Sequence, residues 1–311
     1  MGEVRIEERG GGVVVATLDN PPHALMDFDI VDGLEALVAR AEADEALTGI
    51  VITGAHPERF IAHFDVGELL AAARASPSVG PGAARASLGA VGGLRRVPGA
   101  GSALGRTPLA GLAEAERFGE IFQRLNRAGA FAVAALNGSA MGGGCELALA
   151  CDARLMADGP YGIGQPEVLL AFPPGGGGTQ RLARLLGPAP ALRLCLDGGP
   201  LTPKEAAQLG IVDEVVPPKK LLDRAVELAS RMARRPKGAI AAVKRSIYEG
   251  GSMSLGQGLR QERAQFLSAI GSPEAEAAMA AYVDATERTG ELPLYDATAI
   301  ERALEAGRFE S

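Results

Sequence analysis

The sequence predicts an α/β fold, because strand-like and helix-like stretches alternate along the first half of the chain. Short runs rich in β-branched residues, GGVVVATLDN (11–20) and TGIVITG (48–54), are bounded by Gly, Asp and Asn and are typical of buried strands. Between them, residues 27–44 place apolar side chains at helical spacing. Strand, helix and strand in this order predict a core in which helices cover a sheet.

The alternation continues in the middle of the chain. FAVAALNG (131–138) predicts a third strand and ARLMAD (153–158) a fourth, and a helix is expected to begin between them near Gly143 or Gly144. Residues 71–110 differ in kind, because Ala, Gly, Ser and Pro dominate them and no clear period is present. This composition predicts a flexible surface insert, a lid or a binding loop.

The last third of the chain is almost wholly helical in pattern. TPKEAAQLG (202–210) begins with a Thr N-cap followed by Pro and ends in Gly, and two long helical patterns follow it. We therefore expect a core over residues 1–200 that contains the 71–110 insert, a helical region over 201–285 and a C-terminal extension over 286–311.

Composition excludes several classes of partner. The 311 residues carry a net charge of −7 and no Lys/Arg stripe with interleaved aromatics, so a nucleic-acid partner is not expected. No apolar stretch approaches the roughly 20 residues of a membrane span. The opening MGEVRIEERG has no apolar segment of a signal peptide, so we expect a cytoplasmic protein.

Cysteine and histidine usage predicts no metal centre. Cys145, Cys151 and Cys195 form no CxxC pair and are expected to be buried as small apolar residues. The three histidines form no ligand cluster with them. No P-loop or convincing dinucleotide-binding motif is present either.

NGSAMGGGCELALACD (137–152) places three glycines directly before a carboxylate, Glu146. Glycines at a strand-to-helix joint allow tight turns and close approach of a ligand. The unpaired N–H groups of the first helical turn, with the helix dipole behind them, form an anion site or oxyanion hole. Glu146 itself is open to two interpretations, a catalytic carboxylate or a helix-end charge favoured by the dipole.

A second carboxylate favours the catalytic interpretation. YGIGQPEVLLAFPPGGGGTQRL (161–182) places Glu167 after Gly-Gln-Pro and before a loop of four glycines, 175–178. Pro before Glu167 indicates a turn rather than a helix interior. Two glutamates beside glycine-rich turns suggest paired acid and base work.

These stretches resemble the enoyl-CoA hydratase/isomerase family, the crotonase superfamily. LDNPPHALMD (18–27) looks like the family's first coenzyme A loop, and RFIAHFDVGEL (59–69) stands where its F-x-A-G-A-D segment belongs. LTPKEAAQLGIVDEVVP (201–217) is similar to its later helix–turn–strand. The resemblance covers about residues 3–70 and 115–285.

The resemblance implies a spiral of repeated ββα units with a C-terminal helical region that mediates trimers, or hexamers as dimers of trimers. It implies an enoyl-CoA hydratase, which adds water reversibly and syn to a trans-2-enoyl-CoA thioester. Backbone N–H groups of Phe64 and Gly143 would hold the thioester oxygen. Glu146 would activate the water, Glu167 would exchange the proton at C2, and the backbone of Gly175 would orient the water. No cofactor is implied, because coenzyme A is part of the substrate.

Contacts to coenzyme A and the substrate follow from the same resemblance. They are carried over to His23, Ala24, Leu25, Ala62, His63, Asp65, Gly142, Pro166 and Phe266. Phe266 lies on the late helix, where a neighbouring subunit often completes the site in this family.

One segment departs from the family pattern. The family's glycine and alanine in A-G-A-D are His63 and Phe64 here. A glycine with positive φ would resist replacement by His, which predicts a reshaped loop or a shifted N–H donor. His63 as an additional titrating group would suit a hydrolase of thioesters or β-diketones. An isomerase and a non-catalytic acyl-CoA binder remain further alternatives.

Overall fold

A computed structural model describes residues 2–75, 79–95, 107 and 110–310. Its strands form a six-stranded sheet in the order β1-β2-β3-β5-β7-β9 and a three-stranded sheet in the order β4-β6-β8. β1 and β2 are antiparallel, and all the other pairings are parallel. The strands are β1 Glu3–Gly10, β2 Val13–Asp19, β3 Gly49–Gly54, β4 Arg59–Ile61, β5 Phe131–Leu136, β6 Ser139–Met141, β7 Ala153–Ala157, β8 Ile163–Gly164 and β9 Glu214–Val216.

The chain winds as a spiral between the two sheets. β3 and β4, β5 and β6, and β7 and β8 are successive pairs, and each pair gives its first strand to the large sheet and its second to the small one. Helices follow the first two pairs directly. The predicted spiral of ββα units is therefore confirmed, and the C-terminal third is helical as expected.

Helices cover the outside of this spiral. Their bounds are α1 Phe28–Ala43, α2 Val66–Ala75, α3 Pro81–Arg95, α4 Ala110–Arg127, α5 Gly143–Ala150, α6 Gly178–Leu186, α7 Pro188–Asp197, α8 Pro203–Gln208, α9 Leu221–Ala233, α10 Lys237–Tyr248, α11 Leu255–Ile270, α12 Pro273–Thr289 and α13 Ala297–Ala306. The predicted strands correspond to β2, β3, β5 and β7, and the predicted helices to α1, α5, α8, α9 and α11. The first residue of α5, Gly143, is one of the two expected starts.

The inner strands of the large sheet, β2, β3, β5 and β7, are buried on both faces, because their side chains point alternately to two faces that are both covered. In β2, Val13 and Val15 pack with α9, whereas Val14 and Leu18 pack in the main core with α1. Four apolar side chains of α1 at helical spacing are buried in that main core, Ile30, Leu34, Leu37 and Val38. Burying each such side chain contributes about 1.5–3 kcal/mol. This packing fixes the sheet whose strand ends position the site.

Two parts of the fold lack a clear sequence signal. β1 was not predicted, because six of its eight side chains are solvent-exposed in a row and the strand reads EVRIEERG, rich in charge. α3 lies inside the Ala- and Gly-rich stretch and buries Val91, while Arg95 forms ion pairs with Glu35 and Glu120. With so few apolar residues to bury, the sequence of α3 shows no period. Residues 76–78, 96–106 and 108–109 of that stretch lie outside the described residues.

The C-terminal residues fold back onto the helical region. The C-terminal extension is expected to begin at position 286. α12 continues through this position, and α13 follows it. Arg234 and Arg235 after α9 donate to the carbonyls of Glu305 (3.1 Å) and Leu304 (3.0 Å). No helix in the described part of the chain is both long and apolar enough to cross a membrane.

Candidate active site

The joint between β6 and α5 builds the first half of the site. Gly142, the N-cap of α5, has φ 49° and ψ −120°, a conformation that L side chains rarely adopt. Its carbonyl accepts the N–H of Glu146 at 2.9 Å. A Cβ at position 142 would lie only 3.2 Å from Oε1 of Glu167. Glycine at position 142 thus both turns the chain and makes room for the second carboxylate.

Two backbone N–H groups, of Phe64 and Gly143, lie close together beside this joint. Met26 pairs with the loop that follows β4. Its N–H donates to the carbonyl of His63 (2.8 Å), and its carbonyl accepts the N–H of Asp65 (2.7 Å). The intervening N–H of Phe64 therefore points away from Met26. A Cβ built on Gly143 would lie 3.5 Å from the Phe64 nitrogen. In the described ranges, no protein acceptor binds the N–H of Phe64 or of Gly143.

His63 fits this loop without backbone strain. Among the described non-glycine residues, positive φ occurs only at Ala24 and Ala171, so His63 has an ordinary backbone conformation. Its Nδ1 donates to the carbonyl of Phe64 at 2.8 Å. The loop therefore holds His63 in an ordinary conformation and leaves the Phe64 nitrogen beside Gly143; a role of this N–H as an oxyanion donor stays a prediction.

Glu146 is held by the four-glycine loop. Its side chain is nearly inaccessible, at 3% exposure. Oε1 accepts the N–H groups of Gly176 (2.7 Å) and Gly178 (2.9 Å), so both these bonds fall on one oxygen. Burial raises the pKa of Glu146, and the loop N–H groups and the nearby Arg181 cation counteract that rise. Oε2 is the oxygen that remains for a water or substrate.

The loop comes this close only because it is made of glycine. A Cβ at Gly176 would lie 2.4 Å from Cε1 of Phe118 and 2.5 Å from Oε2 of Glu146. Gly177 has φ 108°, in the region that favours glycine. Arg181 on α6 donates from Nη1 to the carbonyl of Gly176 at 3.0 Å and holds the loop from behind.

Glu167 begins a 3-10 turn, Glu167–Leu170, that follows Pro166. It is 9% exposed, and burial, followed by the negative charge of Glu146, raises its pKa to about 7. The buried Gln165 side chain lies against the Glu167 carboxyl group. Its amide nitrogen, placed on that side, donates to Oε1 of Glu167 at 2.9 Å and to Oε2 at 3.1 Å.

The two glutamates line one cavity of about 520 Å³. The predicted residues His63, Phe64, Gly142, Gly143, Pro166 and Gly175 line it as well. The remaining wall is largely apolar and comes from α1, α2, α4 and the segment after Glu167. The structure therefore brings two carboxylates with raised pKa and two unpaired N–H groups to the same cavity.

A second cavity of about 480 Å³ lies beside the first. His23, Leu25, Ala62 and His63, all predicted to contact coenzyme A, line it together with Arg59. His63 lines both cavities and so marks their junction. His23 and Leu25 precede Ala62 and His63 by up to 40 positions in the chain. The hydrogen bonds between Met26 and the loop after β4 bring the two segments together.

Sequence comparison agrees with this geometry. The profile of the enoyl-CoA hydratase/isomerase family matches residues 111–289, more than half of the chain. The chain belongs to this family.

Individual relatives match to different extents. The short-chain-enoyl-CoA hydratase of Clostridium acetobutylicum is 28% identical over 285 residues, which are 90% of this chain and 94% of that protein. A probable mitochondrial enoyl-CoA hydratase of Dictyostelium discoideum is 40% identical over 152 residues, 49% of this chain. The chain spans only about half of that relative's length, 54%.

A solved structure shows the same fold. The crystal structure of enoyl-CoA hydratase from Bacillus anthracis superposes with a TM-score of 0.71 at 25% identity, over 91% of this chain and 96% of the other. Family membership thus supports hydratase-type chemistry in general, although the family also includes isomerases.

Three predicted contacts lie outside both cavity walls. The Asp65 carboxylate accepts the N–H groups of Gly67 (2.7 Å) and Glu68 (3.3 Å) and so caps α2. Ala24 is 2% exposed with φ 56°, and its carbonyl accepts the N–H of Ala62. Phe266 is 56% exposed on α11. Their roles toward coenzyme A stay predictions.

Sequence reasoning missed several residues of the site. The four-glycine run at 175–178 is visible in the sequence. Which of its N–H groups bind Glu146 depends on the path of the folded loop. Gln165 and Arg181 stand next to these motifs, in GQPE and GTQRL, and their position beside the two glutamates was the available signal. Phe118 carried no local signal. No cluster of metal-ligating side chains occurs in the described ranges.

Proposed function

We propose that the protein is an enoyl-CoA hydratase that adds water reversibly and syn across C2 and C3 of a trans-2-enoyl-CoA. One observation carries the proposal: two buried carboxylates share a cavity with two unpaired backbone N–H groups. The relatives named enoyl-CoA hydratase support it. Coenzyme A would lie in the second cavity as part of the substrate, and no separate cofactor is required.

The N–H groups of Phe64 and Gly143 would bind the thioester oxygen. As water adds to C3, negative charge moves onto this oxygen, and the two hydrogen bonds strengthen. Gly143 opens α5, so the helix dipole adds to the stabilisation. Removal of one such donor costs about 10²- to 10³-fold in turnover in other enzymes.

The two glutamates would exchange protons with water and with C2. Oε2 of Glu146 accepts a proton from the water as its oxygen bonds to C3, while Oε1 stays fixed by the Gly176 and Gly178 N–H groups. Protonated Glu167 gives its proton to C2, which completes the addition. A pKa of about 7 leaves Glu167 partly protonated at neutral pH, as this role requires. The backbone of Gly175, on the wall of the cavity, would orient the water.

We propose in addition that the protein assembles as a homotrimer or a hexamer. α11 leaves large apolar side chains uncovered in the single chain, among them Leu255 (80% exposed), Phe266 (56%) and Leu267 (68%). A neighbouring subunit packed there would bring its Phe266 toward a coenzyme A site.

The test follows crotonyl-CoA by the loss of its conjugated thioester absorbance, with free thiol assayed in parallel. Wild-type protein should remove the absorbance without releasing thiol. Glu146→Gln and Glu167→Gln should each lose at least 10³-fold in turnover, whereas the exposed Glu45→Gln should stay within twofold. Retention of more than a tenth of the activity in both active-site variants would refute the mechanism.

Thioester hydrolysis is a second candidate, favoured by the position of His63 at the junction of the two cavities. Hydrolysis would release thiol in the same assay, and His63→Gln would abolish that release. Migration of the double bond of a 3-enoyl-CoA, without net hydration, would instead indicate an isomerase. Binding of the thioester without any turnover would indicate a non-catalytic binder.

A further inference from the structure

The main cavity extends beyond the glutamates, away from the second cavity. Its inner wall contains a chain of aromatic rings: Phe28 contacts Phe64 edge to face at 5.7 Å between centroids, and Phe64 contacts Phe118 at 5.6 Å. With coenzyme A in the second cavity and C1 to C3 at the glutamates, the acyl tail has only this direction to run. The rings therefore line the part of the site that meets the tail.

The space available exceeds what a four-carbon acyl group fills. A volume of about 520 Å³ lies within the roughly 300–1,000 Å³ of sites that enclose drug-sized ligands. Leu69 and Ala72 of α2 form one side of it, and Leu169 and Phe172 form another. Leu169 is 72% exposed and Phe172 is 37% exposed, so apolar surface is left uncovered that an acyl chain would bury.

Charge in this part of the cavity is negative. Glu68 and Glu114 line it, and the described lining residues include no Lys or Arg. Glu114 is paired with Arg117 at 3.1 Å, so Glu68 is the carboxylate that sets the charge of this wall. Glu68 accepts the N–H of Phe28 at 3.3 Å, which fixes its carboxylate at the wall. Burial, followed by the negative charges of Asp27, Asp65 and Asp29, raises the pKa of Glu68. The same acidic groups would repel a further carboxylate placed there.

We propose that the acyl subsite selects uncharged hydrocarbon chains longer than four carbons and rejects chains that end in a carboxylate, with Glu68 and the size of Ala72 as determinants. This inference rests on the proposed function. Each additional buried methylene should raise kcat/KM about three- to fourfold until the cavity is full, which corresponds to about 0.8 kcal/mol per CH₂. A terminal carboxylate loses this gain, because it enters an apolar wall beside Glu68 without a partner.

The first experiment measures kcat/KM for trans-2-enoyl-CoA substrates of four, six, eight and ten carbons, and for the eight-carbon chain with a terminal carboxylate. Wild-type protein should prefer the eight-carbon hydrocarbon over the four-carbon chain at least tenfold. It should prefer the same hydrocarbon over its carboxylate analogue at least 100-fold.

Two variants with matched controls locate the determinants. Ala72→Phe fills the cavity and should lower the eight- to four-carbon ratio at least tenfold, while Ala71→Phe, exposed on the same helix, should leave the ratio within twofold. Glu68→Gln should lower the preference for hydrocarbon over carboxylate at least threefold, while Glu45→Gln should not change it.

The outcomes separate this inference from the proposed function. Hydration with a flat chain-length profile, or with equal use of the carboxylate substrate, overturns the inference and leaves the hydratase intact. Absence of hydration for every chain length overturns both. An unchanged ratio in Ala72→Phe, with the variant shown to be folded by circular dichroism, refutes the assigned wall.

Discussion

Replacing Arg181 should reduce activity although its side chain lies behind the site rather than in it. Its Nη1 donates to the carbonyl of Gly176, and Nη2 donates to Oδ1 of Asn126 at 3.3 Å. The guanidinium also lies 5.7 Å from the centroid of the Phe122 ring. Since the N–H of Gly176 binds Glu146, Arg181 supports a catalytic carboxylate through one loop.

The contacts set the expected magnitude for Arg181→Met. A hydrogen bond to a charged group contributes about 1.5–3 kcal/mol, and the partners left behind are poorly solvated. We expect a loss of about 2–4 kcal/mol in the free energy of unfolding. If a loosened loop transmits about half of this to the transition state, turnover falls roughly 5- to 30-fold.

The pH profile distinguishes a positioning role from a general loss of stability. Arg181 lowers the pKa of Glu146 through its charge, so Arg181→Met should move the acidic limb of kcat/KM to higher pH. Arg181→Lys keeps the positive charge and should leave the pH of the acidic limb unchanged. It should lose part of the turnover, because lysine lacks the planar guanidinium with its several fixed N–H donors.

The matched control is Arg184→Met on the exposed face of the same helix, where the guanidinium bonds Ser252 at 3.1 Å. It should leave both turnover and the limb unchanged. Full activity of Arg181→Met with an unmoved limb would contradict the reasoning.

Three further predictions follow. In kcat/KM, hydration should decline above a pH of about 7, as Glu167 loses the proton it gives to C2. Dehydration should show the same profile, because the net reaction takes up no proton and its equilibrium constant does not change with pH; a profile flat from pH 5 to 9 would contradict this. Lys244→Met should lower the free energy of unfolding, measured in urea, by about 3–5 kcal/mol. Lys244 Nζ lies 2.7 Å from the buried Asp152 carboxylate, and the substitution would leave that charge unpaired. The exposed Lys204→Met is the control. Gly142→Ala should lower turnover at least tenfold, since its positive φ and the nearby Glu167 oxygen both oppose a Cβ. Its control is Gly119→Ala, which meets open space and should retain full activity.

Local patterns predicted the buried strands of the large sheet and several of the helices. The runs that became β2, β3, β5 and β7 are buried on both faces, and burial forces them to be continuously apolar. β1 and α3 were missed, because an exposed strand and a helix with one buried side chain put little constraint on sequence. The spiral itself came from the resemblance, since strand order across two sheets depends on long-range pairing.

The features of the candidate site also fall into those that local sequence predicts and those that depend on long-range packing. Residue identities alone indicate the family, the two glutamates, and the glycines before Glu146 and around 175–178, because a close backbone approach requires residues without a side chain. Three relations depend on the folded chain: the Phe64 nitrogen lies beside Gly143, Gly176 and Gly178 hold one oxygen of Glu146, and Phe28, Phe64 and Phe118 form a single wall. These relations join residues 30 to 80 positions apart, so they depend on how the strands pair and the helices pack, which no local pattern records.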